Sequence, residues 1–296
     1  LPDSQVSKRK VSPEPIIGSC LLLIIGLAIL FFYLYPQIHE FVDSNQITVP
    51  QNTSVWPIVI YFVAVVIVMG IVLALVPMSV LKVLLRLIFT LLYAWGIFVL
   101  LGTLLPLWAT CVISLAAALA WFLFPLVWLQ NILLLLTLVS IGTVFGQVVP
   151  PWTVVWVLLA ISIYDVVAVF AGYMMWMAKK LSESDTLPAF VLPKKLKDWN
   201  LNLKGSTVNK LFDDENAERD FSLLGGGDIG FPLIFVASVI AAYGVSEALG
   251  VAIGALVGVL LAYVLQIFVM KGKPLPALPP ICLVAFLAFI TVHYVI

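Results

Sequence analysis

Nine stretches of about 20 predominantly apolar residues follow one another along this chain of 296 residues, and about 20 such residues are what a helix needs to cross a hydrocarbon core roughly 30 Å thick. With 63% hydrophobic and 10% charged residues, a soluble fold of this length has no means of hiding its apolar surface. The sequence therefore reads as an all-α polytopic membrane protein. Lys+Arg and Asp+Glu balance at 15 each, which removes a net-charge argument for nucleic acid. The first apolar stretch carries no small-residue cleavage site of the kind that marks a removable signal.

The expected spans run roughly from Ile16 to Tyr35, Pro57 to Val76, Val83 to Leu105, Leu107 to Trp128, Ile132 to Val149, Trp152 to Ala178, Leu223 to Tyr243, Leu249 to Met270 and Leu278 to Ile296. Between Arg86 and Pro150 the chain is almost without charge, and Pro106 and the amide pair Gln130 and Asn131 are its only punctuation. Proline removes a backbone donor, and side-chain amides favour the interface. Short cytoplasmic loops collect Lys and Arg. With nine transmembrane helices, a cytoplasmic N-terminus and an outside C-terminus, all 15 cations fall inside, whereas Glu40, Asp43 and Glu247 fall outside. Residues 1–151 read as an N-terminal bundle of five spans, and 152–296 as a half with spans six to nine that includes a cytoplasmic loop over 179–222. That loop is polar around two apolar islands, Leu187 to Leu192 and Trp199 to Leu203. Its composition predicts a mobile linker, with folding of the islands against the membrane or a bound peptide as the alternative, and Pro188 and Pro193 argue against a helix there.

Cys20, Cys111 and Cys282 lie far apart in apolar stretches and are expected to be buried packing residues. His39 and His293 have no ligand-type neighbours, so neither a metal nor a cofactor is expected.

Thirteen of the 15 acids fall in loops or flanks, which leaves Asp165 within the sixth span and Asp228 just inside the seventh. A carboxylate at mid-bilayer costs about 2.5 to 3.5 kcal/mol on the lenient insertion scale, and neither span holds a Lys, Arg or His to pair with it. One such acid reads equally well as a protonated carboxyl that glues helices together. Two on consecutive antiparallel spans satisfy each other when they share a proton, since like charges at short range do not both ionise. Straight helices place the pair out of register. From Lys179 back to Asp165 is 14 residues, about 21 Å, and from Arg219 to Asp228 is nine, about 14 Å. A shared site thus requires a bend near Gly172, with Tyr173 and Trp176 in the interface.

Two breaker motifs accompany the acids. Gly225, Gly226, Gly227 and Gly230 strip side chains from the turns around Asp228 and permit close backbone approach, and Pro232 lacks the N–H that pairs with the Asp228 carbonyl in a helix. Pro274-Leu275-Pro276-Ala277-Leu278-Pro279-Pro280 holds four prolines in seven residues and predicts an extended stretch that offers a strand edge to a peptide. On the eighth span, Gly250, Gly254 and Gly258 form a ridge expected to pack within the bundle.

Taken in order, Tyr164-Asp165, Gly225-Gly226-Gly227-Asp228 (a Gly-x-Gly-Asp pattern) and Pro276-Ala277-Leu278 resemble the motifs of the presenilin and signal peptide peptidase family of intramembrane aspartyl proteases. The resemblance covers roughly the C-terminal half; the first five spans share only hydropathy. It implies Asp165 and Asp228 as catalytic pair, and Tyr164, Gly225, Gly226, Gly227, Pro276, Ala277 and Leu278 as residues that engage substrate. It also implies transmembrane segments of other proteins as substrates within the lipid bilayer, and no nucleic acid. The inside loop after the sixth span matches the presenilin orientation, and its shortness resembles a compact archaeal homologue, in the plasma membrane of a prokaryote. Homo-oligomerisation and the accessory subunits that presenilin uses are left open. From the acids alone, a proton- or cation-coupled transporter or a leak channel built on the same Asp pair is the alternative, although a transporter is expected to show an internal repeat, and none is visible.

Overall fold

A computed structural model describes residues 14–44, 55–173, 176–177, 186–193, 195–203, 221–270 and 275–294. The N-terminal cations, most of the charged part of the large loop, Lys271, Lys273 and Pro274 lie outside these residues. The helices are α1 (Glu14–Ile29), α2 (Tyr35–Ser44), α3 (Val55–Leu75), α4 (Met78–Leu101), α5 (Leu107–Leu123), α6 (Val127–Val148), α7 (Pro151–Phe170), α8 (Gly226–Tyr243), α9 (Val245–Phe268) and α10 (Leu278–Tyr294). A π-helical turn, Leu30–Leu34, joins α1 to α2 as one continuous rod. Among the described residues, seven helices are long and apolar enough to cross a membrane, and α5 and α10 are shorter apolar helices. The bundle is thus all-α and polytopic.

Prolines set several of the boundaries. Pro77, Pro106 and Pro150 stand in extended conformation immediately before α4, α5 and α7, where a missing N–H removes nothing from the helix. Pro279 and Pro280 likewise sit in the first turn of α10, so the proline-rich stretch is non-helical only over the described residues Leu275 to Ala277. The expectation of extended chain through Pro280 is corrected, because the first turn is where a helix tolerates proline.

Glycine sets the closest approaches. A Cβ on Gly146 of α6 would stand 2.4 Å from the Ala237 Cβ of α8, and one on Gly142 would stand 3.2 Å from the backbone of Leu233. Along α9, Gly250, Gly254 and Gly258 face Val292, Ala288 and Ile281 of α10, so the ridge packs inside the bundle as expected. Leu233, Phe235 and Val239 of α8 are fully buried at the centre. By contrast α3 buries only Leu73 and leans on α7.

Four further expectations need correction. The islands of the large loop fold against the bundle. Ala189–Pro193 (β1) pairs antiparallel with Phe221–Gly225 (β2), with Phe190 opposite Leu224 and Val191 opposite Leu223. Leu196–Asn200 forms a 3₁₀ turn, and Leu187, Phe190, Val191 and Leu203 are buried. Burial of these apolar side chains outweighs the polar composition that pointed to a linker. Second, Leu223 to Gly225 belong to β2, and α8 begins only at Gly226. Third, Gln130 and Asn131 sit in the first turn of α6 and are buried, because the folded loop supplies the polar partners expected of the interface. Fourth, Cys111 is exposed and Cys20 half-buried, and only Cys282 is buried; an outward thiol faces lipid as easily as core in a span that is apolar all round.

The described Lys and Arg residues gather at one end, where Asp198 also lies, and three of the described acids lie at the other. Lys82 and Arg86 of α4 lie at the end that carries the sheet, with Lys195 and Lys197. There the Arg86 guanidinium donates to the Phe122 carbonyl and lies 4.6 Å from that ring's centroid. Glu40, Asp43 and Glu247 lie at the other end, on α2 and the start of α9.

Candidate active site

The helix α7 ends at Phe170, and Gly172 takes a left-handed φ of +72° with open space around it. That conformation is cheap only for glycine. The break stands where register requires it, and it puts Asp165 five residues from the last helical residue. On the facing helix, β2 delays the start of α8, so Asp228 falls in its first turn. Both carboxyls therefore sit near the sheet end of their helices, at comparable depth.

Asp165 is on the buried face of α7 with Ile161, Ser162 and Ala168. Its Oδ2 accepts the backbone N–H of Leu278 at 3.3 Å. Leu278 is the first residue of α10, and the first N–H groups of a helix have no partner within it, so this donor can serve the carboxylate. Asp228 is partly buried, and its Oδ2 lies 3.2 Å from where a Gly225 Cβ would stand, so glycine there gives the carboxyl its room. The two carboxyls interact electrostatically with each other, and the Cys282 thiol on the first turns of α10 lies within electrostatic reach of both. Two acids that share a low-dielectric site, with no cation between them among the described residues, suit one proton held in common.

The structure brings together Asp165, Asp228, Gly225 and Leu278 from the set that the sequence singled out. Pro276 is buried and Ala277 partly buried in the segment that leads to Leu278. Gly226 packs on the Pro188 carbonyl and donates its N–H to that oxygen at 3.1 Å. Gly227 abuts the Phe231 ring. Tyr164 departs from the group: it turns toward α3 and lines an apolar cavity of about 330 Å³ between α3 and α7, with Phe62, Ile67 and Gly70, which Tyr173 helps to line. Neighbours in sequence on a helix are about 100° apart, so Tyr164 and Asp165 necessarily face different surroundings.

Ser162 and Cys282 were not singled out as site residues, yet both are buried near the acids, Ser162 on α7 and Cys282 on α10. Helical spacing held the signal: Ser162 is three residues before Asp165, and Cys282 four after Leu278.

The family model of signal-peptide peptidase and presenilin aspartyl proteases matches residues 20–295 of the chain. A search of curated proteins finds no match. Among solved structures, the chain is similar to a presenilin family intramembrane aspartate protease in two crystal forms. The C222 form is 20% identical, with a TM-score of 0.63 over 95% of this chain and 100% of that one. The P2 form is 21% identical, with a TM-score of 0.59 over 95% and 98%. At these identities the likeness speaks for the fold.

Proposed function

Since the chain belongs to the signal-peptide peptidase and presenilin aspartyl protease family and is an intramembrane aspartic endopeptidase, we propose that Asp165 and Asp228 are its catalytic pair. What supports this reading is that the Asp165 and Asp228 carboxyls, near the sheet ends of α7 and α8, interact electrostatically, with the Leu278 backbone N–H donating to Asp165.

One carboxylate takes a proton from water as that water attacks the scissile carbonyl carbon, and the partner carboxylic acid donates its proton to the carbonyl oxygen. The tetrahedral diol then collapses: the amine leaves with a proton, the new acid forms, and the pair returns to one shared proton. The roles belong to the pair as a unit. A substrate helix must unwind first, since its carbonyls are otherwise bonded internally. Gly225 to Gly227 and Pro276 to Leu278 line the route of the unwound strand, and Tyr164 contacts substrate from the α3 side.

We further propose nine spans with the sheet end cytoplasmic, on the segregation of Lys82, Arg86, Lys195 and Lys197 from Glu40, Asp43 and Glu247. Residues 1–151 then act as scaffold and 152–296 as the catalytic half, in the plasma membrane of a prokaryote. The test is cutting of a single-span substrate by purified protein. Product masses should place the cut inside the span, and Asp165→Asn and Asp228→Asn should each abolish it; cutting by either variant above a contamination control overturns the assignment.

A further inference from the structure

Two adjacent carboxamides are buried at the start of α6, away from the acids. Gln130 and Asn131, in the first turn of α6, are 1% and 4% exposed. Gln130 accepts the Trp121 indole N–H at 2.6 Å and donates its own amide to the Leu187 carbonyl at 2.7 Å. Asn131 makes a ring of two bonds with one residue of β1: it donates Nδ2–H to the Val191 carbonyl at 2.7 Å and accepts the Val191 N–H at 3.0 Å.

The N–H and C=O of one strand residue point to the same side, and successive residues alternate sides. A carboxamide carries a donor and an acceptor side by side, so Asn131 meets Val191 as a neighbouring strand residue would. Since both polar groups of Val191 are turned to α6, the bonds to β2 fall to the residues on either side of it, Phe190 and Leu192, opposite Leu224 and Ser222. The outer edge of β1 is thereby closed at its middle.

The consequence reaches Asp228. From Leu223, the partner of Val191, the chain runs two residues to Gly225 and three more to Asp228. Further on, α8 is gripped by the same α6, where Gly142 and Gly146 press on Leu233 and Ala237. Helix α6 thus fixes the segment that bears Asp228 from both sides, by amides before it and by glycine contacts after it. A slip of one residue between β1 and α6 would move the hairpin by about 3.3 Å and turn every side chain to the opposite face.

We propose that Asn131, supported by Gln130, is a positioning residue for proteolysis: its amide acts as a surrogate strand that sets the register of the β1–β2 hairpin and so the placement of Asp228 against Asp165. The effect on cutting rests on the catalytic reading above, whereas the placement itself does not, and two measurements keep them apart.

The first reads placement alone. In the full chain with Cys20, Cys111 and Cys282 replaced, the pair Asp165→Cys and Asp228→Cys is cross-linked with a short bifunctional thiol reagent, with and without Asn131→Ala. The yield should fall several-fold when Asn131 is changed. The second reads chemistry. Asn131→Ala should lower kcat at least about tenfold, with KM little changed, since misplacement of reacting groups by about 1 Å is enough for such a loss. Its products should spread over neighbouring peptide bonds. Ser140→Ala, on the same helix as Asn131, removes a buried bond to the Gly96 carbonyl of α4 and should leave the cut position and the cross-link as they are. Asn131→Leu keeps roughly the volume but removes both the donor and the acceptor for Val191, and it should act in the same direction if the alanine variant fails to fold. An unchanged cross-link yield and a single cut position in folded Asn131 variants overturn the proposal, as does an equal effect from Ser140→Ala. If the unsubstituted chain cuts nothing, the catalytic reading fails, and the cross-link still decides the clamp.

Discussion

Gly258→Ala tests how closely the site depends on the seam between α9 and α10. A Cβ at Gly258 would stand 2.6 Å from the Ile281 Cα, 3.0 Å from the Ile281 carbonyl oxygen and 3.1 Å from that of Pro280. All three are backbone atoms, so no rotamer relieves the clash. Carbon atoms prefer about 3.5–4.0 Å, so the start of α10 must retreat by about 1 Å. Ile281 lies three residues beyond Leu278, whose N–H reaches Asp165 at 3.3 Å, close to the limit of a hydrogen bond. A further 1 Å or so removes the bond and leaves Asp165 without that donor. Overpacking of this kind costs about 1–3 kcal/mol, offset by up to about 1 kcal/mol because alanine favours a helix over glycine. The expected result is a thermal midpoint lower by a few degrees and a cutting rate lower by about tenfold to a hundredfold, as misplaced catalytic groups predict. Gly250→Ala is the control: its Cβ would meet side-chain atoms of Val292 alone, the nearest being Cγ2 at 2.4 Å, at the far end of α10. It should leave cutting within about twofold, as core changes remote from the site do. Initial rates on a single-span substrate and thermal unfolding of both variants check this. Full activity in Gly258→Ala, or equal losses in both, refutes the coupling of the seam to Asp165.

Asp165→Asn and Asp228→Asn should fold with unchanged or slightly raised thermal midpoints, since each removes an acid that is costly in a membrane; a collapse of stability would show that the carboxyls are structural. Cutting should trace a bell against pH, because acid protonates the base of the pair and alkali strips the proton from the acid; a rate that climbs steadily across the range contradicts a shared proton. Gly172→Ala places a Cβ in a left-handed conformation at about 1–2 kcal/mol and favours a longer α7, so unfolding should shift down and cutting slow. Single cysteines at Lys197 and Ser246, both exposed, should label from opposite sides of the membrane in an otherwise Cys-free chain, and labelling from one side sinks the proposed orientation.

What the sequence determined by itself is what local composition can carry. Transfer energy makes each apolar stretch a helix and makes Asp165 and Asp228 conspicuous, for the cost of a buried acid does not depend on knowing its neighbours. Counting residues from each acid to the nearest cations also required a bend near Gly172, and the chain breaks there. Tertiary structure alone decided what pairs with what. The Leu278 donor lies 113 residues from Asp165, and Val191 lies 60 from Asn131. The strands 189–193 and 221–225 show no signal of their own, since five residues are too few to display a clear alternation and β1 buries two adjacent residues, Phe190 and Val191. Gln130 and Asn131 looked like loop punctuation because an amide is costly in lipid and inexpensive once bonded, and whether a partner waits in a loop 60 residues away is a property of the packed bundle. The tilt of Tyr164 toward α3, away from its neighbour Asp165, is likewise fixed only when the helix is turned to bury its acid.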